Sequence, residues 1–192
     1  FSFDELEVDG FADNPPDRCY HCKTAILQKV REAAEQVDTV YIAEGSNVDD
    51  DGDYRPGKRA VQEAGVISPL REAGLTKAEI RQLSKEMGLA TWDKPSFACL
   101  ASRFAYEEPI TAEKLRMVEL AEKFLREHGF SQYRVRMHGS MARIEVLPED
   151  LERFLDPRLR QDFTGHMKAL GFTYTALDLD GYRTGSMNDA LK

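Results

Sequence analysis

Apolar residues in the first half of the chain recur with two different periods. From Cys22 to about Val37, the positions Ala25, Ile26, Val30, Ala33, Ala34 and Val37 fall at helical spacing. Thr39 to Ala43 is instead a short continuous apolar run, the pattern of a strand covered on both faces. It stops at Glu44-Gly45-Ser46-Asn47, where turn-forming residues collect. A polar loop, VDDDGDYRPG, leads into a helix over about Lys58 to Ala64. Thr76-Lys77-Ala78-Glu79 has capping-box spacing, which predicts a helix to about Met87 closed by Gly88. Phe1-Ser2-Phe3 reads as a further strand. Alternating strands and helices of this kind predict an α/β unit with a parallel sheet over residues 1–97.

Beyond it the pattern changes. Residues 92–110, with two prolines, read as a connecting loop of the length that often carries function. Thr111 is placed to cap a helix running to His128, which Gly129 ends. Tyr133–Met137 and Ala142–Leu147 alternate as strands, joined through His138-Gly139-Ser140 as a hairpin. PEDLERFL and the stretch from about Arg158 to Leu170 read as helices, and Phe172–Leu179 as a last strand. Residues 111–192 therefore predict a small α+β domain. Neither an internal repeat nor a low-complexity segment is present.

Composition narrows the function. Hydrophobic residues make up 42% and charged residues 31% of the 192 residues, as in ordinary soluble globular proteins. No apolar run is long enough to span a bilayer, and the acidic start lacks the order of a secretion signal. A cytoplasmic protein without a membrane partner is the expectation. The net charge of −8 argues against a dedicated nucleic-acid binder. Three cysteines, two of them in a CxxC, suit reduced thiols with a chemical task better than a disulfide framework.

Five stretches carry candidate chemistry. In DRCYHCK, Cys19 and Cys22 have the spacing of a zinc ligand pair, part of an iron–sulfur site or a redox pair; two inert cysteines at a helix start would look the same. GSNVDDDGDYRPG follows a strand, where α/β proteins bind ligands, and its aspartates could hold magnesium beside a phosphate chain or form a solvated turn. KPSFACLASR sets Cys99 among small residues, with Pro95 stiffening its approach. There Arg103 is near enough to stabilise a thiolate or bind phosphate, although most cysteines among small apolar neighbours are simply buried. Arg134 and Arg136 share one strand face, with Arg143 and Glu145 on the same side if the hairpin pairs as expected; paired arginines suit an anion, and a solvated sheet face is the alternative. DLDGYRTGSMN brackets Arg183 with two glycines, as in a loop near a ligand or a frayed terminus.

In order along the chain, NPPDRCYHCK, EGSNVDDDGDYRPG, SPLREAGLTKAEIRQLSKEMGL, KPSFACLASR and DLDGYRTGSMN resemble the LarE-type ATP-dependent sacrificial sulfur transferases, from about Asn14 to Asn188. These enzymes act in assembling the nickel-pincer nucleotide cofactor of lactate racemase. The resemblance implies that residues 1–97 are the later part of a PP-loop ATP pyrophosphatase domain. Residues 98–110 would be a connecting loop with Cys99, and 111–192 a substrate and oligomerisation domain. It also implies that ATP and magnesium (Mg2+) adenylate a carboxylate of a pyridinium dicarboxylate mononucleotide, and that sulfur then displaces AMP. Cys99 matches the family's sacrificial cysteine, while Cys19, Cys22 and Cys99 match a branch holding a 4Fe–4S cluster with one open iron. Tyr20 matches an aromatic beside the nucleotide. Ser102, Arg103, Arg134 and Arg136 match phosphate-binding positions, and Glu122 and Glu145 match acidic residues, catalytic and metal-binding respectively.

The family's SGGxDS phosphate loop does not occur in these residues, which implies a chain cut short before Phe1 and weak ATP activation by these residues alone. An unpaired sheet edge there would favour a homo-oligomer. Two other functions fit the same features less well: another PP-loop enzyme, such as an amidotransferase-type synthetase or a tRNA thiolase, and a non-catalytic zinc-stabilised binding module.

Overall fold

Proline fixes the start of the first helix earlier than apolar periodicity alone suggests. In the computed structural model, which describes residues 2–37, 39, 41–52, 54–94, 97–183 and 185–191, helix α1 spans Arg18–Glu35. Pro15-Pro16 cannot sit inside it, and the Arg18 N–H bonds back to the Pro15 carbonyl at 2.9 Å. Cys19 thus lies in its first turn rather than ahead of it, and Cys22 opens the second.

The chain divides into two units, residues 1–11 with 15–96 and residues 12–14 with 97–192. In the first, α1 packs on α2 (Gly57–Glu63), closing a small core of Leu27, Ala60, Val61 and Val66. A one-turn helix, α3 (Pro69–Glu72), precedes α4 (Lys77–Glu86). The expected capping box forms: Thr76 Oγ1 accepts from the Glu79 N–H, and the Glu79 carboxylate accepts from the Thr76 N–H. Gly88, at φ 72°, follows the helix end in the left-handed region.

The parallel sheet expected here is represented by one parallel bridge, Ala43 to Ile67, with Ile67 N–H bonded to the Ile42 carbonyl at 3.0 Å and Glu44 N–H to the Ile67 carbonyl at 2.9 Å. An apolar run becomes a regular strand when neighbours cover it. Tyr41 is 72% exposed, and residues 41 and 42 form no regular strand. Ser2 and Phe3 form no strand. Phe1 and Val40, which the two strand expectations included, and Asp53 and Pro95 of the two loops, lie outside the described residues.

The second unit holds a three-stranded sheet in the order β1 (Tyr133–His138), β2 (Met141–Val146), β3 (Tyr174–Leu177). The expected β1–β2 hairpin is present, its turn made by Gly139 at φ 58° and Ser140. β3 pairs parallel to β2 after α6 (Pro157–Ala169). The facing pairs Tyr133–Val146, Val135–Ile144 and Met137–Ala142 are buried, and α5 (Ala112–Glu127), capped by Thr111, packs on β1. Each fully buried aliphatic side chain contributes about 1.5–3 kcal/mol, so this face anchors the unit. PEDLERFL is a 3-10 helix (Pro148–Leu155) rather than an α-helix. Pro157 pushes Asp156 into extended backbone (ψ 120°), so the preceding segment cannot propagate as α-helix. The chain as a whole is a mixed helix-and-sheet protein.

The outer edge of β1 is closed from within the unit. Phe104 bridges Met137 in parallel, and the Val135 N–H donates to Glu122 Oε1 at 3.0 Å. Asn14 fixes the segment after Phe104. Fully buried and at φ 57°, it donates through Nδ2 to the carbonyls of Ala105 (2.6 Å) and Glu108 (3.1 Å). Asn14→Ala is expected to destabilise the protein by about 2–4 kcal/mol through two lost buried hydrogen bonds, with alanine keeping the left-handed strain of a β-carbon. Asn14→Gly should cost less, because glycine accepts that φ. Equilibrium urea unfolding compares the two, and equal costs would remove the backbone part of the explanation.

Candidate active site

The strand period puts every second residue of the hairpin on one face, and the observed register decides which residues meet there. Arg134 faces Glu145 and Arg136 faces Arg143, so all four lie opposite the apolar face, as their spacing predicts. Arg134, Arg136 and Glu145 are buried and Arg143 partly so, which makes this an ionic sheet face largely out of solvent. Glu145, 0% exposed, accepts from Arg136 Nη2 at 2.9 Å through Oε2. Its Oε1 meets Arg143 Nη2 at 3.1 Å and the Ser186 hydroxyl at 2.9 Å. Arg143 also donates to Asp178 Oδ2 at 2.6 Å. The carboxylate is thereby fully engaged, and a metal at Glu145 would have to displace these partners.

Arg136 is a junction. Its Nη1 donates to the Ser102 carbonyl at 2.8 Å, and its Nη2 reaches the Ser186 hydroxyl at 3.0 Å. Its Nε, like Arg143 Nε and His138 Nε2, is buried without a hydrogen-bond partner. Arg134 donates to its neighbour's Tyr133 carbonyl at 2.6 Å, with its guanidinium 5.0 Å from the Tyr182 ring and 5.7 Å from the Phe97 ring. Burial, then the positive charges of Arg103 and Arg136, push the Arg134 pKa below its ordinary value. Such a cation gains from an arriving anion.

Cys99 stands at the mouth of a 3-10 turn, Leu100–Arg103, in the same unit. Its side chain is exposed, whereas its carbonyl is held: the Ser102 N–H (3.0 Å), the Ser102 hydroxyl (2.7 Å) and Arg103 Nη1 (3.3 Å) all donate to it. Arg103 is 1% exposed and pairs bidentately with Glu122, Nε to Oε1 at 2.6 Å and Nη2 to Oε2 at 3.0 Å. The structure thus gathers Cys99, Ser102, Arg103, Glu122, Arg134, Arg136 and Glu145 into one unit.

Cys19, Cys22 and Tyr20 lie in the other unit. Cys19 is exposed and Cys22 partly so, and their i, i+3 spacing in α1 sets them on one helix face. Arg59 lies 3.6 Å from the Tyr20 ring centroid, and the Tyr20 hydroxyl donates to Glu63 at 2.7 Å. In the acidic loop, Asp50 pairs with Arg55 at 2.8 Å and Asp51 with Lys58 at 3.1 Å, while Asp49 accepts from the Lys77 N–H at 2.7 Å. Within neither unit do three His, Cys, Asp or Glu side chains gather as a metal site among the described residues.

Sequence reasoning missed three contributors. Asn14 gave a signal only as an asparagine before Pro-Pro. Ser186 and Tyr182 sit in the stretch taken for a ligand loop or a frayed end. It is held in place: the Tyr182 N–H bonds the Val146 carbonyl at 2.7 Å, where a β-carbon on Gly181 would come within 2.8 Å of that oxygen.

Three relatives match nearly the whole chain. The pyridinium-3,5-bisthiocarboxylic acid mononucleotide synthase of Lactiplantibacillus plantarum is 39% identical over 194 residues, covering 99% of this chain and 68% of its own length. An uncharacterized protein of Synechocystis sp. is 41% identical over 187 residues, 97% of this chain and 70% of its own. One of Methanocaldococcus jannaschii is 29% identical over 179 residues, 93% and 69% respectively. No protein-family model matches the chain.

His138, at the end of the ionic face, gives a pH test. Burial and then Arg143 and Arg136 depress its pKa below the ordinary 6.5, against the opposing pull of Glu108 and Glu145. Above that value neither the folded nor the unfolded form carries the proton, and stability is complete. As pH falls below it, the unfolded chain binds a proton that folded His138 resists, so stability declines until the folded pKa is passed. Urea unfolding at pH 7 and at about pH 5.5 should show this loss in the wild type and a smaller one in His138→Gln. Equal losses would exclude His138 as the cause.

Proposed function

We propose that this chain, which belongs to the LarE-type family of sulfur transferases, converts a pyridinium dicarboxylate mononucleotide to its thiocarboxylate with sulfur delivered through Cys99. One observation carries the proposal: an exposed thiol on a backbone fixed from behind, in the same unit as a buried face of arginines. A sulfur donor needs an accessible nucleophile and a substrate held by its charged groups.

The reaction has two stages. A substrate carboxylate oxygen attacks the α-phosphorus of ATP, assisted by magnesium, and pyrophosphate leaves with the electron pair of the broken P–O bond. The Cys99 thiolate then attacks the acyl carbon and expels AMP, leaving a thioester. Loss of the Cys99 α-proton to a base, with cleavage of its Cβ–S bond, releases the thiocarboxylate and leaves dehydroalanine. Arg134 and Arg136 hold the nucleotide phosphate, helped by Ser102. Two guanidiniums suit a phosphate, and an anion would offset the burial and neighbouring positive charges that lower the Arg134 pKa. Tyr20, in a first domain of PP-loop type, is the aromatic residue that serves the nucleotide.

Cys19, Cys22 and Cys99 are also a donor set that suits a 4Fe–4S cluster with one open iron, supported by the shared helix face of the first two. Such a cluster supplies external sulfide in place of the cysteine's own. The chain acts as a homo-oligomer in the reducing cytoplasm, where its thiols stay free. Among the described residues no helix is long and apolar enough to cross a membrane.

Cys99→Ala in the full-length protein should abolish thiocarboxylate formation while ATP-dependent AMP release continues. Product at the wild-type rate would refute the assignment. Arg134→Ala should weaken mononucleotide binding in calorimetry by about 1.5–3 kcal/mol, the value of a hydrogen bond to a charged group. Unchanged affinity would remove the phosphate role.

A further inference from the structure

Of the residues expected to meet the substrate, Arg103 is the one whose surroundings suit that task least. A guanidinium has five N–H donors. Nε and one Nη2 N–H are used on Glu122, and Nη1 faces the Ala98 carbonyl at 3.1 Å, the Cys99 carbonyl at 3.3 Å and the Ser102 hydroxyl at 2.9 Å. At most one Nη2 N–H is left over, on a side chain almost entirely out of solvent. Glu122 is similarly committed. Oε1 receives Arg103 Nε and the Val135 N–H, and Oε2 receives Arg103 Nη2. Both of its oxygens are therefore held by Arg103 and the β1 backbone.

The same bonds form a continuous path. It runs from the carbonyls of Ala98 and Cys99, through Arg103 and Glu122, to the edge of β1 at Val135, which packs on the buried face of the sheet. Among the described residues no comparable restraint reaches the Cys99 thiol itself, which is exposed. We infer that Arg103 and Glu122 are positioning residues, a clamp that fixes the Cys99 backbone to the sheet so that its thiol alone faces the reactants, and that Arg103 is not a ligand of the nucleotide phosphate. The inference rests on Cys99 being the sulfur-delivering residue. Its consequence is kinetic: a thiol displaced by ~1 Å from its line of attack loses on the order of 100-fold in rate.

The test compares full-length wild type with Arg103→Lys and Glu122→Gln. Lysine keeps the charge but cannot make the two-pronged pair or span both carbonyls. Glutamine leaves Arg103 in place while removing the charge that holds it. For each protein, the single-turnover rate constant for thiocarboxylate formation at saturating substrate is measured, with calorimetric Kd values for inorganic phosphate and AMP and residue-resolved hydrogen exchange. The clamp predicts a rate constant reduced on the order of 100-fold in both variants, with phosphate and AMP affinities within about twofold of wild type. It also predicts faster exchange at the Ser102 and Val135 amides, with the remaining β1 and β2 amides unchanged.

A phosphate ligand would behave in the opposite way: Arg103→Lys would weaken phosphate and AMP binding and leave the saturated single-turnover rate constant near wild type, overturning the inference. Retention of that rate constant by Glu122→Gln would overturn it as well, and that variant decides the matter should Arg103→Lys fail to fold. If the wild type forms no thiocarboxylate, the sulfur-transfer reading fails on its own. Exchange at Ser102 and Val135 still decides the clamp, which unchanged protection in both variants would contradict.

Discussion

The buried pair of Arg103 and Glu122 is the constraint on which the geometry around Cys99 depends. Removing two charges from water costs several kcal/mol per ion, and mutual attraction repays this only when the remaining hydrogen bonds are also made. Here they are: Glu122 takes a backbone N–H besides the guanidinium, and Arg103 takes two carbonyls and a hydroxyl besides the carboxylate. Deleting one partner of such a pair costs about 3–5 kcal/mol. An exposed pair such as Lys29–Glu32 contributes about 0–1 kcal/mol. The buried pair therefore governs where the cysteine loop rests, and the surface pairs do not.

A second buried assembly lies on the ionic face of the same sheet. Glu145 neutralises Arg136 and Arg143, and Arg136 in turn reaches the Ser102 carbonyl. The cysteine turn is therefore held from Arg103 and also from the face assigned to the phosphate. The phosphate site proposed for that face and the thiol would therefore be linked through one residue, Ser102. Ser186 adds the C-terminal segment to this assembly through bonds to Arg136 and Glu145.

Much of this was legible in the sequence because it is local. The Thr76 and Thr111 caps, the Gly139-Ser140 turn and the alternation of Arg134 and Arg136 follow from periods and turn chemistry over a few residues. The partners of those residues did not follow. That Arg103 bonds Glu122, nineteen positions away, depends on how α5 crosses β1, and no short-range pattern encodes it. Asn14 was hidden for the same reason, since its bonds reach more than ninety positions along the chain. The run from Thr39 to Ala43 misled in the other direction. Its apolar pattern specifies a covered strand, and a strand is realised only where neighbours supply the cover.

Protection of Cys99 by bound nucleotide tests the central claim most directly, because it asks whether the thiol and the substrate share a site without requiring turnover. The full-length protein is alkylated with iodoacetamide, with and without saturating pyridine dicarboxylate mononucleotide, and modification of Cys99 is resolved from that of Cys19 and Cys22 by peptide mass spectrometry. The account predicts that the nucleotide slows alkylation of Cys99 in the wild type and fails to do so at the same concentration in Arg134→Ala. Alkylation of wild-type Cys99 at one rate with and without nucleotide would contradict it.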